Sequence, residues 1–190
     1  MKGILLTIDE DILAIDGGLP LNAFKCTSEI SRDDMRWFRE HTLYSSVVMG
    51  WNTWVSLGEK PLKDRKTHYI ITSRKDLQDT DGVRFVDLGQ FKELMQHIDG
   101  DELWLMGGAT LYGELLPLCS SIYWNTLEGF SLPFSCENRL LRLPRHQNTN
   151  NTIYNTLSHD WKMRILKTSE YTVGESKCVL NMRKFERVHF

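Results

Sequence analysis

Twice in this 190-residue chain a short apolar run ends in glycine and passes at once into a helical pattern: SSVVMG into WNTWVSL, and ELWLM into GGATLYGELL. Glycine is costly inside either element, so it stands at these junctions for the backbone freedom or the close approach that it allows. Strand–glycine–helix units point to an α/β architecture with at least part of the sheet parallel. In such sheets ligands sit beyond the carboxyl ends of the strands, where helix N-termini present unpaired N–H groups and a partial positive charge. Two such ends in one small domain could hold a pyrophosphate. Neither junction is the dinucleotide fingerprint G-x-G-x-x-G or a P-loop, and two ordinary tight turns would read the same way.

The remaining pattern agrees. GILLTI reads as a buried first strand, THYIITS and GVRFVD as further strands, and SIYWNTL as another. RDDMRWFREH reads as a short helix, with Ser31 and Asp34 at capping-box spacing. GQFKELMQHI is amphipathic, with Phe91, Leu94 and Met95 on one side. Residues 9 to 31 show little periodicity apart from the turn signal DGGLP, and 128 to 157 read as an irregular excursion rich in Asn, Pro and Arg. Near the end, two strand-like runs around VGES make a hairpin. One domain is expected over 1–190, with insertions around 22–31 and 128–157.

Composition narrows the partner class. A net charge of −2 with both signs interspersed leaves no footprint for nucleic acid or an acidic membrane, whereas a small molecule fits. Cys26, Cys119, Cys136 and Cys178 are scattered, without zinc spacing, and read as reduced thiols of a cytoplasmic protein. No apolar run approaches the roughly 18 residues that span a bilayer. The start lacks a signal-peptide cleavage pattern, and the triplet NNT at Asn150 carries no weight.

Four stretches, in order, resemble the dihydrofolate reductase family. LAIDGGLPL is similar to its I-G-x-x-G-x-L-P-W. VVMGWNTWVSLGEKPLKDRKTHYIITSR is similar to V-I-M-G-x-x-T-W-x-S followed by P-L-x-x-R and a strand ending in L-S. LWLMGGATLY is similar to I-G-G-x-x-(V/L)-Y, and the closing DWKMRILKTSEYTVGESKCVLNMRKF to the family's last strand pair. The resemblance implies a single α/β domain, with a mixed and mostly parallel central sheet of about eight strands, about four helices, and a C-terminal antiparallel hairpin. It implies a monomer that uses NADPH to reduce 7,8-dihydrofolate and that binds antifolates. It also implies a cis peptide at Gly107–Gly108.

Residue by residue, the resemblance makes Asp34 the pterin-binding carboxylate, accepting hydrogen bonds from the ring's 2-amino group and N3 and favouring a protonated N5. Without it, Asp33 and Asp34 are acids opening a helix, where they are favoured anyway. Phe38, one turn on, shares that face. Arg65 matches the arginine that grips the α-carboxylate of the substrate's glutamate tail, although without the resemblance an arginine within KDRK reads as a solvated surface cation. Leu5, Met35, Leu57, Leu62 and Met106 would line the pterin and benzoyl pocket, and otherwise read as core.

For the cofactor, Gly50, Trp51, Asn52 and Thr53 begin the first phosphate-facing helix, and Gly107, Gly108, Ala109, Thr110, Leu111 and Tyr112 the second; Tyr112 also counts among the substrate contacts. Thr72, Ser73 and Arg74 would meet the adenosine 2′-phosphate, and Thr7 and Leu13 the nicotinamide. No metal is implied.

Departures mark a divergent member. Leu21 replaces the tryptophan that follows LP, extra residues including Phe24 lie before Asp34, and Trp51 takes a position often basic. Asn125 or Thr126 falls where a threonine supports the carboxylate, with the register open by one residue. Two rivals follow. One is a non-catalytic binding or structural member of the fold. The other is a pyrimidine reductase of the riboflavin-pathway type, whose tail-less substrate would leave Arg65 without a carboxylate.

Overall fold

The computed structural model describes residues 1–9, 11–19, 21, 28–129, 140–143, 161–173 and 175–188. Phe24, Cys26, Cys136, Asn150 and most of the two expected insertions lie outside them. Among the described residues there are ten strands and four α-helices. They group into two compact units, Met1–Ile4 with Phe38–Ser120, and Leu5–Trp37 with Ser121–Phe190.

The first unit is the α/β part. Its strands are β3 (Ser46–Gly50), β4 (His68–Ile71), β5 (Val83–Val86), β6 (Leu103–Leu105) and the first residues of β1 (Lys2–Ile8), in the order β5-β4-β3-β6-β1. The pairings are parallel, in the registers Lys2↔Trp104, Ser46↔Leu103, Val47↔His68 and His68↔Val83. Parallel strands covered on both faces read as unbroken apolar runs, and Val47, Val48, Met49, Leu103 and Leu105 are fully buried.

Helices α2 (Trp51–Ser56) and α4 (Ala109–Leu115) follow β3 and β6 through the glycine junctions. Helix α3 (Leu88–Leu94) opens on a true capping box, in which the Gln90 amide donates to Asp87 Oδ1 at 2.9 Å and the Asp87 amide to Gln90 Oε1 at 3.0 Å. Phe91 is buried as its spacing requires. Leu94, the last residue of α3 before a 3₁₀ turn over Met95–His97, is exposed.

The second unit is antiparallel. Strand β7 (Ser121–Glu128) lies between β1 and β10 (Ser176–Arg187), and β10 pairs along its length with β9 (Trp161–Val173) to give the expected terminal hairpin. Asp16 and Gly17, at φ 51° and 81°, form a tight turn closed by bonds of 3.0 and 3.1 Å between Ile15 and Gly18. Two short strands went unread in the sequence, β2 (Ile12–Ile15) and β8 (Leu140–Arg142), which pair with each other, β2 also pairing with β1. Three or four residues are too few to show a period.

Leu21 is buried in an apolar cluster with Ile8, Ile12, Ile15 and Ile30. Helix α1 (Ser28–Thr42) begins earlier than expected, so Ser31 lies inside it and the Ser31–Asp34 capping box does not form.

Candidate active site

The first unit carries both glycine junctions. Gly50 and Gly108 sit at the N-caps of α2 and α4, and neither helix start has a side-chain cap. Their first amides are therefore left without a helical or capping acceptor, in contrast to α3. The Gly107–Gly108 peptide is cis, as the resemblance implied.

The two turns are tied together by the Gly50 amide, which donates to the Gly107 carbonyl at 2.7 Å. Gly107 has φ 112°, and a Cβ there would come within 3.1 Å of the Tyr112 ring. One on Gly108 would lie 3.3 Å from Thr53 Oγ1. Tyr112 is buried beneath this turn and its hydroxyl donates to the Ile4 carbonyl at 2.8 Å. Leu111 is likewise buried, whereas Thr110 and Asn52 are exposed and Ala109 half-buried.

At the end of β4 the Arg74 amide donates to Thr72 Oγ1 at 3.2 Å. The guanidinium of Arg74 lies 4.4 Å from the centroid of the Trp51 ring, a cation–π stack that leaves its edge exposed. Ser73 beside it is exposed.

Arg65 is the second organised cation of this unit. Nη1 donates to the Lys63 carbonyl at 2.7 Å and Nη2 to Thr42 Oγ1 at 2.6 Å, while the Thr42 hydroxyl donates to the Phe38 carbonyl at 2.8 Å. The guanidinium also stands 5.6 Å from the Phe38 ring centroid. Burial and the neighbouring Arg39 charge disfavour its cationic form and the Asp64 charge favours it; its Nε is buried with no partner, and no carboxylate forms an ion pair with it among the described residues. A guanidinium that is half-buried and fixed by two hydrogen bonds is not a solvated surface cation, and its planar fork can pair with a carboxylate. Leu57, Leu62 and Met106 are half-buried.

In the second unit the adjacent acids Asp33 and Asp34 have opposite environments. The Tyr171 hydroxyl donates to Asp33 Oδ2 at 2.6 Å and holds that carboxyl below the usual range. Asp34 is half-buried, and desolvation pushes it up to about 6 against a single opposing hydrogen bond, from Asn125 Nδ2 at 2.7 Å. With α1 starting at Ser28, neither acid is in the first turn, so helix-end charge preference does not account for them.

The open register resolves to Asn125, since Thr126 bonds Glu128 instead, at 3.1 Å. Asn125 is only 2% exposed, and its Oδ1 has no partner among the described residues. Thr7 is fully buried, its hydroxyl accepting from Trp124 Nε1 at 2.9 Å and donating to the Asp9 carbonyl at 3.0 Å. Leu5 and Leu13 are buried, and Met35 is 51% exposed.

A model of the dihydrofolate reductase family matches residues 28–131, more than half of the 190-residue chain. This chain belongs to the dihydrofolate reductase family. The matched span holds Asp34, Arg65, Asn125 and both glycine junctions.

Among curated relatives, the dihydrofolate reductase of Buchnera aphidicola subsp. Baizongia pistaciae is 28% identical over 99 residues, covering 52% of this chain and 58% of the relative. That of Haemophilus influenzae is 33% identical over 96 residues, covering 50% and 56%. Each alignment thus spans somewhat more than half of the relative's length. Dihydrofolate reductase from Enterococcus faecalis, solved in complex with NADP(H) and RAB-propyl, superposes with a TM-score of 0.67 at 18% identity, covering 99% of this chain and 96% of that one. That likeness extends the shared fold beyond the matched sequence.

Sequence reasoning missed several supporting groups of this family member. Thr42 orients Arg65, Tyr171 takes up Asp33, and His68 accepts from the Leu62 amide. Each pairing joins residues whose meeting depends on tertiary placement, and no local motif announces it.

Proposed function

We propose that the protein reduces 7,8-dihydrofolate to 5,6,7,8-tetrahydrofolate with NADPH, and the observation that carries this is the half-buried, desolvated Asp34 carboxyl held by Asn125. A desolvated carboxylate is costly unless a ligand supplies donors, and a 2-aminopterin edge offers two in one plane. Asp34 would accept from the 2-amino group and N3 and favour protonation at N5. Phe38 would pack on the ligand. Arg65, a half-buried guanidinium with no ion-paired carboxylate among the described residues, would take the tail carboxylate, and this favours a glutamate-bearing substrate over a ribosylated pyrimidine.

The residues present also fit the cofactor. The uncapped helix starts at Gly50 and Gly108 offer amides to phosphate, and Arg74, braced on Trp51, offers a cation to a 2′-phosphate. When bound, the cofactor supplies the hydride that reaches C6. The protein's contribution is orientation, exclusion of water and a matched charge.

Among the described residues no helix is long and apolar enough to cross a membrane. The same reading has the protein acting in the cytoplasm as a monomer, with dihydrofolate and antifolates as its ligands.

The test is NADPH consumption by purified protein with saturating dihydrofolate. Turnover is expected, and Asp34→Asn is expected to cut kcat/KM by about 100-fold or more. Protein that leaves NADPH unconsumed contradicts the proposal, as does an Asp34→Asn variant of undiminished activity.

A further inference from the structure

His68 is an anomaly in its strand. It sits on β4 between Val47 and Val83, among apolar neighbours, and is 1% exposed. Both ring nitrogens are engaged. Nε2 lies 2.9 Å from the Leu62 amide nitrogen, and since a backbone N–H can only donate, Nε2 must be the unprotonated nitrogen. Nδ1 then carries the proton and faces the Gly82 carbonyl at 3.2 Å. Burial also favours the neutral ring, and Trp54 packs beside it at 6.4 Å between centroids.

What this ring holds is the segment after α2. The Gly58 and Glu59 amides close that helix, and the Lys66 amide rejoins Ser45 at 3.0 Å. Between Glu59 and Lys66, among the described residues, the Leu62 amide is the one backbone N–H with a protein acceptor, His68, and the Asp64 carbonyl accepts from the Tyr44 amide at 2.8 Å. The carbonyl of the next residue, Lys63, receives Arg65 Nη1 at 2.7 Å. A short chain of contacts therefore runs from the His68 ring through Leu62 and Lys63 to the guanidinium.

We propose that His68 is a positioning residue for substrate binding, which fixes the 62–65 loop so that Arg65 meets the tail carboxylate. It deepens the dihydrofolate reading and rests on it. The effect belongs to binding of the tail, because Arg65 touches no reacting atom.

The experiment compares wild type, His68→Leu, His68→Gln and Arg65→Lys, each with dihydrofolate and with a 7,8-dihydropterin lacking the benzoylglutamate. His68→Leu removes the acceptor. It is expected to raise KM for dihydrofolate about 10-fold, with kcat and the KM for the tail-less pterin changed less than about 2-fold. His68→Gln offers a side-chain carbonyl to Leu62 and is expected to recover part of the loss; should the leucine variant fail to fold, a smaller tail-dependent rise in the glutamine variant is the expected result. In an Arg65→Lys background, His68→Leu is expected to add little, since both changes act through one contact.

Equal rises for both substrates, no rise at all, or full additivity with Arg65→Lys overturns the proposal while leaving the reductase reading intact. Wild-type protein that does not reduce dihydrofolate overturns that reading, and this proposal with it.

Discussion

Asp34 costs the folded protein stability whenever it is ionised. Its carboxyl rises from 3.8 to about 6 on folding, mainly through burial, which corresponds to on the order of 3 kcal/mol. A raised carboxyl favours the fold while protonated. The stability it contributes is full below pH 3.8 and is lost as pH rises through about 6. Asp34→Asn keeps a partner for Asn125 and removes the charge. Chemical denaturation is expected to show the variant more stable than wild type by about 1–3 kcal/mol at pH 8, with the difference vanishing toward pH 4. A variant no more stable at pH 8 would mean that the carboxyl is solvated.

The choice between Asp33 and Asp34 was legible only through the motif they resemble. The chemistry that separates them, Tyr171 on one and burial with Asn125 on the other, depends on partners about 140 and 90 positions away in sequence, which no local pattern encodes.

At the scale of elements, the glycine junctions were the most readable feature. Gly107 combines φ 112° with the Tyr112 ring 3.1 Å from where a Cβ would sit. Gly107→Ala meets both a disfavoured backbone region and a packed ring, and thermal unfolding is expected to show a loss of about 1–3 kcal/mol. An alanine variant of unchanged stability would contradict this account of the turn. Long or strongly apolar strands were read correctly, among them β1, β3, β7 and the β9–β10 hairpin. The short β2 and β8 were not, because each depends on the other for its pairing. Helix α1 was read too short because its first turn, Ser28–Ser31, mixes polar residues with a single buried isoleucine, Ile30.

For the molecule as a whole, the fold is carried by pattern more than by identity. At 18% identity the Enterococcus faecalis enzyme still matches 99% of the chain. The departures are absorbed locally: Leu21 becomes part of an apolar cluster and Trp51 a platform for Arg74. The proposed substrate rests on Asp34 and its Asn125 partner, not on this likeness. The most direct measurement is the affinity of wild type and Asp34→Asn for a diaminopteridine antifolate, by calorimetry at pH 7.5. Tight binding by wild type and a loss of about 100-fold or more in the variant are expected, since the variant withdraws the anion from a buried, charge-assisted pair. Equal affinity in the two proteins, or no binding by either, would contradict the claim that this carboxylate holds a pterin.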